Sequence, residues 1–137
     1  MSDYTVTRYS DDVELLIRKN TQLFSERMAL LLDKVQEAEG VPICVSQPHL
    51  FTIDTDGQLK GVSKVMEHEG KSYSGLDYDA SIKSLNKEMK RICTLKGGIY
   101  VDMATKKFAP GDFYDSVHTT PAGAKRLGEY FFDEFNP

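Results

Sequence analysis

The 137-residue chain lacks any run of about 18 apolar residues, so the sequence predicts no membrane-spanning helix. It opens Met-Ser-Asp-Tyr-Thr, without the basic and then apolar stretch of a secretory leader, so no signal segment is expected. It also lacks a basic face. Arg8, Arg18, Lys34, Lys60, Lys90 and Lys106 are scattered along the chain, and no more than two cations, as at Lys106-Lys107, sit side by side. With 17 Lys and Arg against 21 Asp and Glu the net charge is −4, which argues against nucleic acid as a partner. Cysteine is nearly absent: Cys44 and Cys93 each lie in an apolar segment and read as free buried thiols, which suits a reducing cytoplasm.

What is present fits one α/β domain over residues 1–137. Hydrophobic residues make up 40% and charged residues 28%, the balance of a soluble globular chain. Residues 1–9 are polar and read as a lead-in arm. From Ser10-Asp11-Asp12 a long helix opens, with Asp11 and Glu14 at capping-box spacing. Val13, Leu16, Ile17, Phe24, Met28, Leu31 and Val35 recur at three- and four-residue steps, predicting one apolar face. Gly40, followed by Val41-Pro42, ends it. Val41–Gln47 is a short apolar run of buried parallel-strand type. Residues 50–76 then form an excursion: Asp56-Gly57 between alternating segments predicts a β-hairpin, and Glu69-Gly70 marks a second turn.

A second helix is expected over Tyr78–Leu95, with Ile82, Leu85, Met89, Ile92 and Cys93 on one face. Gly97-Gly98 stops it before a second buried strand, Ile99–Met103. An irregular connection through Pro110-Gly111 leads to a last helix, Pro121–Phe135, with Ala124, Leu127, Phe131 and Phe135 inward. This order gives α/β layers with few parallel strands plus a β-hairpin excursion.

The chemistry-bearing stretch is Phe113-Tyr114-Asp115-Ser116-Val117-His118-Thr119-Thr120-Pro121-Ala122-Gly123. Asp115 and His118 are three residues apart, so a tight turn brings carboxylate to imidazole. An Asp accepting from His Nδ1–H fixes the tautomer and leaves Nε2 as a general base. The plain alternative is a surface histidine steadied by a nearby acid. Thr119 or Thr120 caps the last helix, with Pro121 in its first turn, and Gly123 permits close backbone approach.

The block Asp-Ser-Val-His-Thr-Thr-Pro-Ala-Gly-Ala, after a strand ending Val-Asp-Met, resembles the last sequence block of the SGNH (GDSL-type) hydrolases. Upstream, the long helix, Ile-Cys-Val-Ser-Gln-Pro and the helix running into Gly-Gly-Ile-Tyr-Val-Asp-Met agree, so the resemblance covers nearly all of residues 10–135. It implies ester hydrolysis on a flavodoxin-like α/β/α sheet. His118 would be the base and Asp115 its orienter. The family's nucleophile is a Ser in a Gly-Asp-Ser segment, and a Gly and an Asn complete its oxyanion hole. This chain contains no Gly-Asp-Ser, Gly-x-Ser-x-Gly or Gly-x-Asn-Asp. It begins, on this comparison, after the block carrying the oxyanion Asn, so three of five expected strands are missing. A half-sheet leaves an open edge and an uncovered helix face, which predicts a homo-oligomer or a partner chain completing the sheet.

The remaining candidates read mainly as structure. Ser46, at the carboxyl end of the first strand, is where α/β sheets place sites, yet a hydroxyl bonding the backbone is the simpler role. His49 faces the same crevice or is an ordinary loop residue. Asp102 bonds backbone groups of the following loop, or contacts substrate. Asp54-Thr-Asp56-Gly57 has its glycine two positions early for a calcium loop. His49, His68 and His118 have no metal-ligand spacing, so no metal or organic cofactor is expected. Tyr73, Tyr78, Tyr114 and Tyr130 are too dispersed to stack bases; Tyr114 borders a substrate pocket or packs in the core. The expected substrate is an ester or acetyl group on a small molecule or carbohydrate. The alternative is a non-catalytic oligomeric or binding domain on a hydrolase scaffold.

Overall fold

The computed structural model describes residues 3–136. They form a mixed α/β structure whose chain divides into two compact units. The first comprises the N-terminal residues through Phe24 together with Phe51–Leu85. The second comprises Ser25–Leu50 and the residues from Asn86 onward. Helices α1 (Val13–Glu37) and α2 (Gly75–Leu95) each pass from one unit into the other along the chain.

The first unit contains the strand-rich excursion. β3 (Thr52–Thr55) and β4 (Gln58–Val62) pair antiparallel around Asp56-Gly57, and β5 (Met66–His68) and β6 (Lys71–Tyr73) around Glu69-Gly70. Both turn residues of each hairpin have positive φ: 54° and 78° in the first, 51° and 76° in the second. That backbone twist suits the right-handed twist of the flanking strands, and Gly adopts it without a Cβ penalty. Asp54 accepts from Gly57 N–H, so the acid of this loop serves the turn. One strand departs from expectation. Residues 4–6 are not a free arm but β1 (Tyr4–Val6), paired antiparallel with β4. Three residues are too few for alternation to register as a pattern. The N-terminus of α2 is earlier than expected, because Ser74 N–H and hydroxyl both donate to Asp77 in a capping box.

The second unit holds β2 (Ile43–Val45) and β7 (Ile99–Val101), paired in parallel in the register Ile43–Ile99, Cys44–Tyr100, Val45–Val101. This is the pairing that two apolar runs, each preceded by a helix, should make. Leu32, Ile92, Cys44 and Cys93 form its core, with Met28, Ala29, Met89 and Tyr100 packed against them. Leu32, not Leu31, is the buried leucine of α1 here, and Leu31 is exposed. The helix ends differently too. Glu39, with φ of 59°, is the left-handed residue, while Gly40 N–H returns to Val35 O. At the end of α2 the expected glycine does serve: Gly97 has φ of 71° and Gly98 N–H reaches Cys93 O.

Two expectations for this unit are overturned. Cys44 and Cys93 are not free thiols but a disulfide between β2 and α2, their Cα atoms 6.5 Å apart. Strand-to-helix packing brings together residues 49 apart in sequence, a proximity that the apolar setting of each could not reveal. Paired as they are, these cysteines give no sign of a reducing compartment. Helix α3 (Pro121–Phe135) keeps its expected bounds, but Ala124 and Phe135 are exposed and only Gly123 is buried. Among the described residues, no helix is long and apolar enough to cross a membrane.

Candidate functional site

The turn carrying Asp115 and His118 is a small antiparallel loop in the second unit. Phe113 and Thr119 form an isolated bridge, and Tyr114 N–H donates to His118 O at 2.8 Å. Within it the Asp115 carboxylate accepts three hydrogen bonds. Oδ1 takes Val117 N–H at 2.7 Å and His118 N–H at 2.8 Å. Oδ2 meets His118 Nδ1 at 2.7 Å. These partners, the imidazole first and the two amides after it, hold the carboxyl down to about 2, below the usual carboxylate range. An ionised acid can only accept, so Nδ1 carries the proton and Nε2 of the neutral ring presents a lone pair. The side chains are 77% (His118) and 55% (Asp115) exposed. The spacing of three thus yields the pair expected of it, on the surface and not in a closed cleft.

Below the turn lies a clamp. Pro110–Asp112 form a single 3-10 turn, and Asp112 is buried. Its carboxylate takes Ala109 N–H and Arg126 Nε, both at 2.7 Å. Its carbonyl accepts Thr120 N–H at 2.9 Å. Of the two candidate caps, Thr120 is the one used: its Oγ accepts Gly123 N–H and donates to Gly111 O. Gly123 is where close approach is required, since a Cβ there would collide with the Asp112 carbonyl. Neither Asp112 nor Arg126 stood out from the sequence. Fourteen residues separate them, beyond any local motif, and the only sequence signal was Arg126 in the helix that follows the turn.

The other candidates separate cleanly. Ser46 is 1% exposed. Its Oγ accepts Met103 N–H at 2.9 Å and Ala104 N–H at 2.8 Å and donates to Asp102 Oδ1 at 3.1 Å. A hydroxyl has one proton and two lone pairs, and all three are in use. Ser46 is therefore a strut between strand ends and has nothing left for nucleophilic attack. Asp102 also takes Thr105 Oγ at 2.9 Å, so its role here is the structural one. Leu50 N–H donates to Ser116 O at 2.8 Å, which brings the segment after β2, and so the neighbourhood of His49, beside the Asp115–His118 turn. Tyr114 is exposed next to the pair and is not a core residue. His68 is half-exposed in the first unit, with Glu69 as its nearest acid. No group of three or more metal-ligating side chains occurs among the described residues.

The first unit has a polar depression of about 470 Å³ lined by Tyr9, Ser10, Asp11, Asp12, Lys71, Ser72 and Tyr73. Lys71 and Tyr73 both donate to Asp12 Oδ2, at 2.8 and 3.0 Å, and these bonds lower the Asp12 carboxyl. Its central polar groups are thus satisfied by one another. No family model, curated protein or solved structure matches this chain.

Proposed function

We propose that Asp115 and His118 are the acid–histidine end of an SGNH-type ester hydrolase site, on a partial flavodoxin-like scaffold. The observation that carries this reading is the 2.7 Å contact between ionised Asp115 and His118 Nδ1, which leaves Nε2 as a base. The substrate is then an ester or acetyl group on a small molecule or carbohydrate. The base would take the proton of an attacking serine hydroxyl, and that serine comes from a strand–loop segment or partner chain that also supplies oxyanion donors. Ser46 is not that serine, because its hydroxyl is fully engaged. No metal or organic cofactor enters the scheme.

The second reading is a non-catalytic oligomeric or binding domain. What favours it is the full engagement of Ser46 together with the exposed apolar pair Ile43 and Ile99, adjacent on a parallel sheet of only two strands. Parallel sheets normally have both faces covered. One sample decides between the readings: mass by light scattering and turnover of a short-chain p-nitrophenyl ester. Hydrolysis lost in His118→Ala, with the melting temperature within about 1 °C of wild type as suits an exposed side chain, supports the hydrolase. Equal turnover in wild type and His118→Ala ends that reading; an oligomer inert in both forms supports the second.

A further inference from the structure

The Asp115–His118 pair is at the tip of a turn, and its geometry depends on what holds the two legs. Asp112 and Phe113 form one leg, Thr119 and Thr120 the other. The legs are joined by Thr120 N–H to Asp112 O and by the Phe113–Thr119 bridge. Asp112 is the fixed point of this frame. Its side chain is 4% exposed, and Oδ2 receives both Ala109 N–H from the preceding loop and Nε of Arg126 from α3. Gly123 lets α3 close onto the Asp112 backbone, so that Arg126 reaches the carboxylate from the helix's second turn.

We propose that Arg126, acting through Asp112, is a positioning residue that sets the turn so that Asp115 meets His118 Nδ1. The inference rests on the reading of that pair as the functional site. An ion pair with a buried carboxylate is a poor way to gain stability, because taking Asp112 out of water offsets much of its attraction to the half-exposed guanidinium. What it supplies is direction: a guanidinium N–H aimed at one carboxylate oxygen fixes angle as well as distance. The tip needs that direction. Asp115 and His118 bond only to their own turn among the described residues, and Leu50 N–H to Ser116 O is the one backbone bond tethering the tip from another segment. The charged groups of the frame are Asp112 and Arg126, with Asp115 and His118 at the tip. Tyr130 of α3 lies beside Arg126.

The test reads the tip without requiring catalysis. Imidazole ¹⁵N spectra of the neutral ring should show the His118 proton on Nδ1 in the wild type. In Arg126→Gln the ring should revert to the Nε2–H tautomer that an isolated imidazole favours. The Tyr114 amide, which closes the turn, should exchange roughly tenfold faster. Arg126→Lys, which keeps the charge but loses the fixed N–H direction, should restore the Nδ1–H form and the slow exchange only in part. If Arg126→Gln does not fold, Asp112→Asn carries the same expectation, since it keeps an acceptor for Ala109 N–H but loses the charge. A folded Arg126→Gln or Asp112→Asn that retains the Nδ1–H signal and the wild-type exchange rate overturns the proposal alone. A wild type lacking that signal overturns the reading of the pair itself.

Discussion

Replacing Gly123 by alanine should destabilise the chain, although Gly→Ala in a helix ordinarily does the reverse. Gly123 is in the first turn of α3, and its φ is not positive, so backbone conformation alone does not demand glycine there. Propensity would favour alanine by up to about 1 kcal/mol. Against that, the new methyl would overlap the carbonyl carbon and oxygen of Asp112. Backbone cannot rotate away as a side-chain tip can, so the 109–113 loop must shift or α3 must lift. Overpacking of this kind costs roughly 1–3 kcal/mol. A shift also strains Thr120 N–H to Asp112 O and the Arg126 contact, at about 1 kcal/mol for a typical hydrogen bond lost. The net expectation is a loss of about 1–3 kcal/mol. Gly128, five residues further along α3, is the control: it is exposed, and a Cβ there meets nothing within 4 Å. Gly128→Ala should gain about 0.5–1 kcal/mol. Guanidinium unfolding followed by circular dichroism measures both. Equal stabilisation by the two substitutions would refute the close-approach argument, because propensity alone would then account for both.

Ser46→Ala leaves the Ala104 amide without its acceptor and the Met103 amide with Val101 O alone, and should cost about 1–3 kcal/mol in denaturant unfolding; a change under about 0.5 kcal/mol would contradict the strut role. Reducing the Cys44–Cys93 disulfide opens a closure spanning 49 residues. The loop-entropy relation puts that loss near 4 kcal/mol, to be read as a fall in unfolding midpoint with reductant and in the Cys93→Ala chain. The Asp115 carboxyl is held at about 2 in the folded chain, below its unfolded value, so its stabilising contribution is present above that unfolded value and lost as pH falls through about 2. The stability difference between wild type and Asp115→Asn should therefore be flat at neutral pH and shrink across the window from about 4 down to 2; a difference that grows on acidification would reverse the assigned sign.

How much of this was legible in the sequence depended on range. Helix α3 keeps the bounds its periodicity and Pro121 gave, and both hairpins turn at the expected Asp-Gly and Glu-Gly pairs. The Asp115–His118 contact was readable for the same reason: three residues and a turn contain all of it. What failed was tertiary. The Cys44–Cys93 bond, the Asp112–Arg126 pair and the choice of Leu32 over Leu31 all depend on which segments pack together. Spacing along one element cannot carry that information. The β1 strand failed differently, being too short for a period-two pattern and needing β4 to exist at all.

The exposure of the Asp115–His118 pair bears on why it is built as it is. Solvent screens a contact this open, so the hydrogen bond from the ring adds little stability. Yet two backbone amides of the turn are spent on Asp115, and they fix its carboxylate before the imidazole is considered. The turn is thus organised around an anion whose second oxygen is left for one ring nitrogen. Such preorganisation becomes worth most when water is removed, because the same charges interact far more strongly in a covered site. A surface that closed over Tyr114 and His118 would convert a weak exposed contact into a strong one without moving it. An acid–histidine pair of the kind proposed above would require that change of surroundings to act as a base.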